Sequence, residues 1–74
     1  MKRYFFQLLD ENYNDIGALI PDGSSKQSAI NKARKWMQAN GVRFAQLSVN
    51  SMQTDNLLDI IEIYINEQTD KQNQ

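Results

Sequence analysis

Leu57-Leu58-Asp59-Ile60-Ile61-Glu62-Ile63-Tyr64-Ile65 is the stretch on which the fold turns. With a helical period, Leu57, Ile60, Ile61 and Tyr64 share one stripe. As extended chain, Ile61, Ile63 and Ile65 line one side, with Leu58, Ile60 and Tyr64 on the other. Composition favours the strand: four isoleucines and a tyrosine in nine residues are types that lose less freedom in extended chain than in a helix.

Working back from there, residues 51–56 form a polar connection, and residues 42–50 alternate as a strand should. Arg43, Ala45, Leu47 and Val49 oppose Val42, Phe44, Gln46 and Ser48. The segment before it is a helix over about 25–40. Ser24 and Gln27 have the spacing of a capping box, which makes Ser24 the expected N-cap. Ala29, Ile30, Ala33, Trp36 and Met37 then recur at three- and four-residue intervals. Asn40-Gly41 ends the helix, because glycine enters the left-handed cap without a Cβ clash. Trp36 lies on the apolar stripe and reads as a core anchor; stacking on a base would require the opposite, wet face.

At the start of the chain, residues 2–10 read as an aromatic-rich strand and residues 11–15 as a turn of Asn and Asp. Residues 16–20 read as a short second strand, weakened by Gly17 and stopped by Pro21-Asp22-Gly23. The expected order is ββαββ, an α+β fold in which one helix packs on a three- or four-stranded, mostly antiparallel sheet. Residues 1–66 make one domain, and residues 67–74 are expected to be a disordered tail, since they carry no large apolar side chain.

A chain of 74 residues has a thin core, burying only about 60% of the surface its unfolded form exposes. Domains of this size often add a disulfide, a metal or a second copy of themselves. With no cysteine and no histidine, disulfides and Cys/His zinc sites are excluded, which brings self-association forward. No apolar run approaches the ~20 residues of a membrane helix. The lack of cysteine and of an export-like apolar segment points to a soluble, cytoplasmic protein that does not engage a membrane.

The same absences remove the usual bases for a serine or cysteine nucleophile. Ser24, Ser25 and Ser28 lie near Lys26, but hydroxyls ahead of a helix are capping groups, and a lysine base would have to be buried. Asp59 and Glu62 are the carboxylates nearest apolar sequence; three apart in a strand, they face opposite ways and cannot converge. Asp10, Asn12 and Asn14 echo the start of a calcium loop, yet Asp15 stands where glycine is required and Pro21 where glutamate is. The glycines at 17, 23 and 41 fit no phosphate-binding pattern. No catalytic, metal or cofactor-binding residues are therefore expected, and the chain is read as a non-enzyme.

Two surfaces remain. Once one face of the sheet is packed on the helix, Phe5, Leu9, Val42, Phe44, Leu58, Ile60 and Tyr64 fall on the other. This is much apolar surface to leave wet, and Phe5, Phe44, Ile60 and Tyr64 are the candidate protein interface. The most economical partner is a second copy in a two-fold homodimer, although another protein would serve. The alternative rests on charge. Residues 23–54 hold five basic groups and no acid, between an N-terminal segment of two basic and four acidic groups and a C-terminal one of one basic and five acidic groups. Lys32, Arg34, Lys35 and Arg43 are the candidate contacts to nucleic acid in that reading.

Overall fold

The isoleucine-rich stretch is extended. In the computed structural model, which describes residues 2–65, β3 (Leu57–Tyr64) pairs antiparallel with β2 (Phe44–Ser51), which pairs antiparallel with β1 (Tyr4–Leu9) on its other side. The helix α1 (Lys26–Asn40) lies between β1 and β2 in sequence. The sheet is three-stranded in the order β1-β2-β3, so β2 is central and both other strands are edges. The tail expected over residues 67–74 lies outside the described residues.

The α+β class holds, but the order is βαββ rather than ββαββ. Residues 16–20 do not form a strand. The chain runs back along β1 and touches it at isolated points, with Asp15 beside Leu9 and Gly23 beside Tyr4. Ile16 N–H donates to the Leu8 carbonyl at 3.1 Å, and Tyr4 and Gly23 exchange bonds of 2.8 and 3.1 Å. Between these contacts Gly17 adopts φ +82°, which leaves the extended region, and Pro21 has no N–H to give a ladder. The apolar pattern that suggested a strand has another purpose: Ile20 is buried and closes the core. The loop thus covers the outer edge of β1.

The core follows the two periodicities. From the helix come Ala29, Ala33 and Met37; from the sheet Phe6, Leu8, Ala45, Leu47, Val49 and Ile63. Ile30, Trp36, Val42 and Ile61 pack at its margin, so Trp36 lies on the core-facing stripe but only partly buried, and Met37 is the large helix residue at the centre. The alanines let the helix backbone approach the sheet, while β2 supplies a buried apolar side chain at every second residue.

Both helix ends are capped, the first one residue later than the sequence suggested. Ser25, not Ser24, is the N-cap, and its Oγ accepts from Ser28 N–H at 3.2 Å. The capping-box spacing pointed to Ser24, but it is Ser25 that has the extended backbone and the hydroxyl contact of a cap. Ser25→Ala should therefore cost about 1 kcal/mol in chemical denaturation, while Ser24→Ala should cost only tenths. The reverse ranking would contradict this cap. At the other end Gly41 has φ +70°, and its N–H and that of Val42 both donate to the Met37 carbonyl.

Candidate interaction surface

The strand registers arrange the sheet face away from the helix in rows. Phe5, Asn50 and Leu57 lie side by side, then Gln7, Ser48 and Ile60, then Leu9, Gln46 and Glu62, and finally Phe44 and Tyr64. A register irregularity at Val49/Asn50 places Leu57 opposite Asn50 and leaves Leu58 unpaired.

The middle column of this face is polar and self-contained. Gln46, Ser48 and Asn50 are nearly inaccessible, walled in by the side chains of the flanking strands. Gln46 donates to the Asp10 carbonyl at 3.1 Å, Ser48 Oγ to the Gln7 carbonyl at 3.3 Å, and Asn50 Nδ2 to the Phe5 carbonyl at 3.2 Å and Ser48 Oγ at 3.1 Å. No buried side-chain donor or acceptor among the described residues is left without a partner, so this column has no need of an external ligand.

The candidate interface residues are consequently divided. Phe44 and Tyr64 meet, ring centroids 5.0 Å apart and tilted by 45°, with Ile60 four residues back from Tyr64 on the same strand and face. Phe5 is on β1, about 10 Å across the sheet at the usual strand spacing, and belongs to a different margin. Phe5, Phe44 and Ile60 are half-buried, whereas Tyr64 is 59% exposed, and Leu57 and Leu58 are comparably open. The open apolar surface gathers along β3. The Tyr64 hydroxyl donates to Glu62 Oε1 at 3.2 Å. That bond, reinforced by the carboxylate's charge, raises the phenol above its ordinary value.

The two edges of the sheet differ. The loop covers β1, whereas no strand among the described residues pairs with the outer side of β3. Ile65 N–H donates to the Arg43 carbonyl at 2.8 Å. With the β2–β3 register this fixes the direction of every backbone group: Asp59, Ile61 and Ile63 bond inward to β2, and Ile60, Glu62 and Tyr64 point outward. Two of the outward groups are already engaged. Ile60 N–H donates to its neighbour Asp59 Oδ1 at 2.9 Å, and the Tyr64 carbonyl accepts from Arg34 Nη1 at 3.1 Å.

Three of the four candidate basic residues, Lys32, Arg34 and Lys35, border one shallow hollow on the helix, and Arg43 stands apart. Arg34 turns down to β3, and Arg43 precedes β2 beyond the helix end. Lys32 and Lys35 lie on the outer helix surface, where Ser28, Asn31, Arg34 and Gln38 complete the rim of that hollow. Lys26 faces Asp59 across 3.8 Å, both about half exposed.

The residues tested for chemistry have structural roles. Asp10 Oδ1 accepts from the N–H groups of Asn12 at 2.8 Å and Asn14 at 2.9 Å, so the calcium-like residues form a turn. Asp59 lies on the helix side of β3 and Glu62 on the other, and they do not converge. No group of three potential metal-ligating side chains occurs among the described residues. No helix there is long and apolar enough to cross a membrane.

No family model, no curated protein and no solved structure matches this chain. Its role has to be argued from the surface itself. The feature that sequence reading missed is the difference between the two edges, because the covering of β1 depends on a loop that sequence periodicity presents as a strand.

Proposed function

We propose that this chain is a non-enzymatic interaction module that associates with a second copy of itself, through the β3 side of the sheet surface turned away from the helix. The observation that carries the reading is the concentration of wet apolar groups along β3, with Tyr64, Leu57 and Leu58 all more than half exposed, beside an edge that nothing in the described chain covers. Burying a large apolar side chain is worth about 1.5–3 kcal/mol, and a domain of this size has little stability in reserve. A two-fold contact needs only a self-complementary patch. The cysteine-free chain suits the reducing cytoplasm, where we place its action.

Amide spectra recorded on serial dilution test this reading. The resonances of Phe44, Ile60, Glu62 and Tyr64 should move with concentration, and those of Asn31, Lys35 and Gln38 on the outer helix surface should stay fixed. Spectra that do not change from micromolar to millimolar protein would overturn it.

Nucleic acid binding is the second reading, favoured by Lys32 and Lys35, which stand exposed with no acidic partner among the described residues. Two to four phosphate contacts would give a log–log salt slope of about −2 to −4 on duplex DNA. Retention on DNA at low salt, lost with such a slope and weakened by Lys32→Gln and Lys35→Gln, would support it over self-association.

A further inference from the structure

We infer that the second copy pairs edge to edge, β3 against β3, antiparallel, with the two-fold axis passing beside Glu62, so that two three-stranded sheets become one continuous sheet. This rests on the self-association proposed above and specifies its geometry.

The backbone groups on the outer side of β3 carry the argument. Glu62 presents both N–H and C=O, Ile60 its C=O and Tyr64 its N–H, none with a partner among the described residues. Ile60 N–H and the Tyr64 carbonyl are held by Asp59 and Arg34. An axis beside Glu62 sets Glu62 opposite Glu62 of the second copy and Ile60 opposite its Tyr64. Every open group then meets an open group: Glu62 N–H meets Glu62 C=O in both directions, and each Tyr64 N–H meets the opposing Ile60 C=O. The two occupied groups, Ile60 N–H and Tyr64 C=O, are also each other's counterparts. Moving the axis to Ile61 or Ile63 sets open groups against occupied ones. Only the register centred on Glu62 matches the edge to itself.

Charge follows the same symmetry. Asp59 and Arg34 both lie on the helix side of the sheet, and each bonds one of the two counterpart groups. In the centred register, Arg34 of one copy and Asp59 of the other come to the same rung. Releasing Ile60 N–H to the opposing Tyr64 carbonyl frees Asp59 Oδ1 to accept from Arg34 while Oδ2 keeps facing Lys26, so two side chain–backbone bonds are exchanged for a ladder bond and an ion pair. On the open face, half-buried Ile60 lies against exposed Tyr64 of the second copy on either side of the axis, which covers part of the Tyr64 ring. On the helix side, Ile61 lies opposite Ile63 and continues the core across the junction. One contact opposes the pairing: the two Glu62 carboxylates face each other at the axis.

That opposing contact makes the register testable. Glu62→Gln keeps every ladder bond and removes the repulsion, so it should tighten self-association several-fold in sedimentation equilibrium. A chain without cysteine also gains one unambiguous thiol from Glu62→Cys. Across a hydrogen-bonded antiparallel pair the Cα atoms are about 5.5 Å apart, within the range of a disulfide. Under mild oxidation Glu62→Cys should give a covalent dimer at protein concentrations where Gln7→Cys, exposed on β1, stays monomeric. If Glu62→Gln leaves association unchanged or weakens it, or if the two cysteine variants cross-link equally, the edge register is wrong while self-association stands. A wild-type chain that never associates overturns both.

Discussion

Leu47→Ala should destabilise the domain by about 2–5 kcal/mol, which for a chain of this length is a large share of the roughly 4–11 kcal/mol that domain averages suggest. Leu47 is in the middle of the central strand, paired with Leu8 on one side and Ile61 on the other, and fully buried beneath the helix. Its removal leaves a void that the sheet cannot close, because strands on both sides hold β2 in register and Ala29, Ala33 and Ala45 nearby have no longer side chain to swing in. The lost transfer energy and the cavity therefore add. Urea denaturation followed by circular dichroism reads the effect directly. Leu19→Ala serves as the control, because Leu19 is 92% exposed and its loss should fall within about 0.5 kcal/mol of wild type. Equal midpoints for the two variants would contradict the placement of the core.

Phe44→Glu should weaken self-association at least about tenfold, corresponding to roughly 1.4 kcal/mol. The Phe44 ring supports Tyr64 at 5.0 Å between centroids, and aromatic pairs of this kind contribute about 0.5–1.5 kcal/mol beyond their buried area. Without that support Tyr64 loses the orientation in which it covers Ile60 of a second copy. The new carboxylate also adds negative charge on the face that already carries Glu62. Phe44→Leu keeps an apolar support and should associate nearly as wild type. Both variants are expected to fold, because Phe44 lies outside the buried core cluster; circular dichroism checks this. Equal association of the glutamate and leucine variants would mean that Phe44 has no part in the contact.

Much of this architecture was legible in the amino acids. The helix was readable because its stripe, its preceding serines and Asn40-Gly41 all agree, and agreement between levels is what specifies an element. The isoleucine-rich stretch was readable from β-branched composition, and alternation places the residues from Asp59 to Tyr64, whereas the irregularity opposite Asn50 sets Leu57 in the row where alternation expects Leu58. Residues 16–20 were misread because a buried isoleucine in a loop gives the same local signal as one in a strand. What distinguishes them is Gly17 at positive φ, which only the three-dimensional backbone reveals.

The candidate surface was legible in identity but not in grouping. Phe5, Phe44, Ile60 and Tyr64 do share the face away from the helix, yet strand order decides that Phe5 is separated from the other three. The sequence also offered no sign that Gln46, Ser48 and Asn50 would be buried and mutually satisfied, since that depends on their place in the central strand between two flanking rows of side chains. The engagement of Ile60 N–H by Asp59 and of the Tyr64 carbonyl by Arg34 depends on rotamers and on how the helix lies along β3. No periodicity encodes either.

Sedimentation equilibrium of the wild-type chain across micromolar to millimolar concentration tests the central claim most directly. Self-association predicts a weight-average mass that rises with concentration from the monomer's 8.6 kDa to twice that value and levels off there, as a closed two-fold dimer must. A mass that stays at the monomer value over the whole range would contradict it.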